Sequence, residues 1–107
     1  MKKIKLEKLV RLGYRITNTQ EFLGLSDEEM ALIELKLSLI EKLKKTRNRR
    51  KITQHQLARL IHSSQSRVAM LERGRPDVSL DLICRALFAL GVTRSELGKA
   101  ITSNKAA

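Results

Sequence analysis

Tryptophan is absent from this chain, tyrosine occurs once (Tyr14) and phenylalanine twice (Phe22 and Phe88), so any core must be aliphatic. One proline and five glycines leave few helix breakers, which favours an all-helical fold. A single cysteine, Cys84, rules out a disulfide framework within the chain. It sits in the apolar pattern LDLICRALFAL and reads as a small buried hydrophobe, consistent with a reducing cytoplasm. No apolar run approaches the ~18 residues needed to span a bilayer. Lys5, Glu7 and Lys8 interrupt what would be the core of an N-terminal signal. A soluble, cytoplasmic protein is expected.

Acid is also scarce. Eleven Asp and Glu face 22 Lys and Arg, giving a net charge of +11 over 107 residues. A surplus of this size calls for a polyanionic partner, nucleic acid before anionic membrane. The charge is unevenly spread. Residues 41–77 hold eleven Lys and Arg against Glu41, Glu72 and Asp77, whereas residues 23–40 carry four acids against Lys36. A membrane-surface protein would place its cations along one amphipathic helix, which this pattern does not do.

Helix starts are written clearly. Ser26–Glu29, Thr53–Gln56 and Thr93–Glu96 each have the capping-box spacing, in which the first side chain accepts from the third helical N–H and the fourth reaches back. Ser64 and Ser79 add two simple N-caps. Five starts predict five helices. The first covers 27–46, with Met30, Ile33, Leu37, Ile40 and Lys44 on one stripe and Leu32, Leu35, Leu39 and Leu43 widening it. A stripe this broad exceeds one small core and leaves its N-terminal turns to a partner chain or to residues 1–22. The second spans 53–61 and the third 65–73, ended by Gly74 and Pro76. The fourth runs 80–90 to Gly91, with Leu80, Ile83, Cys84, Leu87 and Leu90 at core spacing. The fifth covers 94–101. Residues 1–22 read equally as helix or extended arm.

A helix that ends at Ile61 and restarts at Gln65 must turn sharply. Val68 and Leu71 can pack back on Leu57, Ala58 and Ile61, and the small Ala58 permits a close crossing. The second helix of such a pair projects from the body. Its outward face carries Gln65, Ser66, Arg67, Ala69, Met70 and Arg73, rich in hydrogen-bonding groups. A B-DNA major groove admits such a helix, and base edges there distinguish all four pairs.

The stretch ITQHQLARLIHSSQSRVAMLERG resembles the helix-turn-helix of the phage repressor/Cro (XRE) family at Thr53, Gln54, Leu57, Ala58, Ser64, Gln65, Ser66, Val68, Glu72 and Gly74. Two positions depart from the family pattern. His62 stands where it prefers a left-handed Gly, and Ser63 replaces an apolar residue; both predict a weaker turn. The resemblance implies an all-α, five-helix, lambda-repressor-like DNA-binding domain with an N-terminal extension. Its organisation would be residues 1–25 as extension or arm, 26–101 as domain (motif 53–74), and 102–107 as a frayed tail.

The resemblance assigns base-edge contacts to Gln65 and Ser66, with Arg67, Ala69 and Met70 further along the same face. A Gln amide pairs bidentately with adenine, Arg67 can read guanine or hold phosphate, and Met70 can touch a thymine methyl. It implies phosphate contact for Gln54, which also braces Gln65, and for Ser64, Arg73 and Arg75. Arg49, Arg50 and Lys51, from the run KKTRNRRK, should border the same face. Arg47 and Glu72 match an internal ion pair, making Glu72 structural.

Other readings of these residues are weaker. His55 and His62 have no acid or cysteine beside them, so no metal site is expected. Ser63 and Ser66 near His62 lack an orienting acid, which argues against catalysis. No cofactor is implied. The expected partner is double-stranded DNA with a near-palindromic operator, bound by a homodimer through Phe88, Val92 and Leu97 or through the N-terminal extension. EFLGLSDEEMALIELKLSLIEKLKK resembles the same region of small XRE-type antitoxins, which adds a cognate toxin as a partner; the expected setting is cytoplasmic and nucleoid-associated. The alternative is a protein-interaction adaptor, a coactivator using the fold without base readout.

Overall fold

A computed structural model describes residues 21–75 and 77–103. The regular elements among them are all helical: α1 (Asp27–Arg49), α2 (Gln54–Leu60), α3 (Gln65–Glu72), α4 (Leu80–Ala89) and α5 (Arg94–Ser103). Residues 21–23 also carry helical backbone. The expectation for residues 1–20 and the stop assigned to Pro76 lie outside the described residues.

Every cap read from the sequence is formed. Ser26 and Glu29 exchange bonds of 2.8 and 3.1 Å, Thr53 and Gln56 of 2.8 and 3.0 Å, and Thr93 and Glu96 of 2.9 and 3.1 Å. Ser64 accepts from the Arg67 N–H and Ser79 from the Leu82 N–H. Each satisfies donors that a helix start otherwise leaves bare.

Three helix ends share one device. After α1, the Ile52 N–H reaches back to the Arg47 carbonyl with Lys51 at φ 59° between them. Following α2, Ser63 does the same to Ala58 across His62 at φ 54°, and beyond α4, Val92 bonds Leu87 across Gly91 at φ 87°. This is the six-to-one closure that requires one left-handed residue. Glycine takes that conformation without strain, and two of the three positions lack it. Ser63 adds a second cost, since its Oγ is buried with no hydrogen-bond partner. The turn between α2 and α3 is therefore correct in shape but imperfectly built.

The core is aliphatic. Leu39, Ile40, Leu43, Leu57, Ala58, Ile61, Val68, Leu71, Ile83, Ala86, Leu87, Leu90 and Val92 form one buried cluster. α2 and α3 pack on each other, with Ala58 buried, while α1 lies against α3, α4 and α5. Leu80 and Cys84 only flank this cluster. Burial, with a smaller effect of Asp81, pushes the Cys84 thiol up. The breadth of the α1 stripe has a local explanation. Leu23 joins Met30 and Ile33 in a second small core, with Leu25 and Leu37 beside it, so the chain before α1 covers its first turns. Leu32 stays 45% exposed.

Val92 is 5% exposed and packs within the main core. The expectation that it offers dimer surface is corrected accordingly: the closure after α4 directs it inward. α1 extends three residues past the expected Thr46, and α5 continues to Ser103, where Thr102 Oγ1 donates back to the Gly98 and Lys99 carbonyls.

Replacing His62 by Gly should raise stability by roughly 0.5–1 kcal/mol, since relief of left-handed strain outweighs the added freedom of the unfolded chain. Urea unfolding should show a higher midpoint at unchanged slope; a lower midpoint would mean that the imidazole makes a stabilising contact.

Candidate nucleic-acid interface

The projecting surface is assembled around one buried ion pair. Arg47 leaves α1 with 14% of its side chain exposed and meets Glu72, at 6%, near the end of α3. Its Nε donates to Glu72 Oε2 at 2.6 Å and its Nη2 to Oε1 at 2.9 Å, the forked geometry in which a guanidinium holds a carboxylate most firmly. Nη1 donates to the Ile52 carbonyl at 2.9 Å. One side chain thus ties together α1, the turn before α2, and α3.

From Glu72 the polar contacts run outward. Gln54, the first residue of α2, donates Nε2 to Glu72 Oε1 at 3.0 Å. Gln65, the first residue of α3, donates Nε2 to Gln54 Oε1 at 2.8 Å. The surface beside them belongs to α3. Gln65, Ser66, Arg67, Met70 and Arg73 are exposed, Met70 by 41%, and Ala69 is half-buried. Val68 and Leu71 hold the opposite face in the core. Neither Arg67 nor Arg73 has an ion-pair partner among the described residues. Ser64 is committed to its cap, with its hydroxyl accepting from Arg67 N–H.

A family model described as Helix-turn-helix matches residues 43–97, slightly more than half of the chain. The chain belongs to the XRE-type helix-turn-helix family. It is a DNA-binding family and not an enzymatic one, so this XRE-type chain carries a DNA-binding domain of the kind found in transcription regulators. No curated protein and no solved structure matches the chain. Among the described residues, no helix is long and apolar enough to cross a membrane, and no cluster of His, Cys, Asp and Glu has the makings of a metal site.

In this XRE-type domain the basic run that closes α1 is shared among several neighbours. Arg47 points inward to Glu72. Arg50 lies across the turn between α4 and α5, its Nη1 3.0 Å from where a Gly91 Cβ would stand. Arg49 and Lys42 lie near Glu96, at the start of α5. The Thr93 backbone N–H, then the Thr93 hydroxyl, hold the Glu96 carboxyl below the usual range, and the two cations add to this. Arg75 pairs with Asp77, Nε to Oδ1 at 3.5 Å. Lys51 is exposed and lines a surface depression with Arg50, Ile52, Gln56, Arg59 and Leu60. Arg59 is exposed there, on the side of α2 away from the buried Leu57.

Exchanging Arg47 for Met should destabilise the fold by about 3–5 kcal/mol, the usual consequence of leaving one buried charge unpaired. Thermal melting would detect it, and an unchanged midpoint would show that the clamp contributes nothing. Because the Glu96 pKa is lowered on folding, its capping contribution is present above the unfolded carboxylate pKa and disappears as pH falls through the folded value. An NMR titration of the Glu96 carboxyl should give a midpoint below that of an unstructured peptide; one at or above it would exclude the cap.

Proposed function

We propose that this chain is a sequence-specific DNA-binding transcription regulator, a repressor that lays α3 in the major groove as a homodimer on a near-palindromic operator. The observation that carries this reading is the face of α3 and its cap: Gln65, Ser66, Arg67, Met70 and Arg73 stand exposed, with two cations that have no ion-pair partner among the described residues and a braced amide. Gln65, Ser66, Arg67, Ala69 and Met70 face base edges. Gln54, Ser64 through the backbone it caps, Arg73, Lys51 and the half-engaged Arg75 meet phosphates. Arg49 and Arg50 add long-range attraction without touching the groove, because their neighbours are Glu96 and Gly91.

A single helix reads too few base pairs for useful selectivity, and two copies about one DNA turn apart solve this. Phe88, 48% exposed on α4, and Ile101, 39% exposed on α5, offer apolar surface for that pairing; Leu97 contributes only its partly exposed side. The setting is cytoplasmic and nucleoid-associated. Residues 26–101 form the binding unit, with 1–25 as an extension.

A second reading, an autoregulating antitoxin, is favoured by α1. It begins well ahead of residue 43, and Asp27, Glu28, Glu29 and the exposed Leu32 give its start an acidic surface suited to a basic toxin. Recovery of a basic partner on co-expression with its operon neighbour would support this; recovery of the chain alone would oppose it.

DNA titrations at increasing salt test the main proposal. Affinity should fall steeply and linearly on a log–log plot as phosphate counterions compete. Arg73→Ala should weaken all sequences alike and reduce that slope by about one. An adaptor that does not read bases would yield no preferred site in a random-oligonucleotide selection, and that outcome would sink the proposal.

A further inference from the structure

α1 carries opposite charge at its two ends. Residues 21–35 hold five acids and no Lys or Arg, whereas residues 42–51 hold seven Lys and Arg and no acid. The helix macrodipole accounts for part of this, favouring Asp27, Glu28 and Glu29 in the first turn and Arg47 and Arg49 in the last. It gives no reason for the apolar side chains set among the charges. Leu32 is exposed one turn after Glu28, on the same face of the helix. Past the other end, Arg50, Lys51 and Arg59 surround a depression with Ile52, Gln56 and Leu60, and Leu60 is 53% exposed. None of these three cations has an ion-pair partner among the described residues, nor has Glu28.

A DNA backbone would engage the cations of the depression and leave its aliphatic side chains without a role, since phosphate contact is an affair of charge. What complements both is an acidic surface with a leucine in its midst, and the start of α1 is itself such a surface. It cannot fill the depression of its own chain. Leu32 and Arg50 are eighteen residues apart along α1 and its cap, about 27 Å of helical rise. A second copy has no such constraint. We infer that the acidic start of α1, through Glu28 and Leu32, docks on the depression of a second copy, with Glu28 against Arg59 and Leu32 against Leu60. Complementary charge steers the approach and the two leucines leave water together. The contact joins two different surfaces, whereas the α4 and α5 pairing proposed above sets one apolar patch against itself. It does not rest on the DNA-binding reading; on DNA its consequence is cooperative filling of neighbouring sites.

The test is disulfide trapping between two full-length chains, both with Cys84→Ala, one carrying Leu32→Cys and the other Leu60→Cys. Mixed at low salt under mild oxidation, they should cross-link several-fold faster than either chain alone, and added salt should slow them. Glu28→Lys in the first chain, or Arg59→Glu in the second, should bring the mixture down to the rate of the separate chains. Both changes together should restore it, because the charges are then exchanged across the same contact. Positions 28, 32, 59 and 60 are all exposed, so circular dichroism should show every variant folded. On DNA with two adjacent sites, filling should be cooperative for the unmodified chain and independent for Glu28→Lys. A mixture no faster than its separate chains, or a charge exchange that fails to recover the rate, would overturn the contact. Without trapping, loss of a basic operon partner in Glu28→Lys would assign the acidic surface to that partner. A lower salt slope on a lone DNA site in Arg59→Glu would then assign the depression to phosphate. The random-oligonucleotide selection is independent of all these results, so the contact and the DNA-binding reading fail separately.

Discussion

The Arg47–Glu72 pair is the contact on which the interface depends. α2 and α3 have seven and eight residues, too short for stable helices alone, and must be held by what they pack against. Leu57, Ala58, Val68 and Leu71 supply that packing, but aliphatic contacts tolerate small rotations and do not define direction. A forked ion pair does, because guanidinium and carboxylate must be coplanar to make both bonds. Arg47 also holds the Ile52 carbonyl, so the same residue fixes the turn that delivers α2. A buried ion pair is weak evidence for added stability over an apolar substitute. Its use here lies in fixing geometry.

Around this clamp the helix ends follow a common logic with uneven quality. All five starts are capped by a side chain, and the turns after α1, α2 and α4 close by the same backward hydrogen bond. Gly91 suits its place for two reasons: φ 87° and the guanidinium of Arg50 standing over it. Lys51 and His62 adopt the same backbone conformation with a side chain attached, a local cost offset by the core on either side. The closure at His62 and Ser63, with a left-handed side chain and an unsatisfied buried hydroxyl, lies directly between the two helices of the motif.

Charge is the other organising quantity, and its distribution in space differs from its distribution in sequence. The run from Lys42 to Lys51 looks like one cationic patch when written out. On the helix, successive residues are about 100° apart, so the run is dealt to different neighbours. Arg47 goes to Glu72, Arg49 toward Glu96 and Arg50 to Gly91, while Lys51 remains with the depression on α2. Arg67, on α3, and Arg73, at its cap, stand exposed with no ion-pair partner among the described residues.

The sequence by itself determined the five helices and where they start. Caps such as Ser26–Glu29 and Thr93–Glu96 act over three residues, and apolar periodicity records which side of a helix is buried. Both are local, so both survive in a linear string. The left-handed turn at His62 was legible for the same reason, as was the projecting face of Gln65, Ser66 and Met70. Only the tertiary structure decided the rest. Whether Val92 faces in or out depends on the closure after Gly91. The cover over Met30 and Ile33 depends on Leu23 and Leu25 folding back, and the destination of Arg50 on a turn forty residues away. Those outcomes are fixed by contacts between distant segments, which spacing along one chain does not encode.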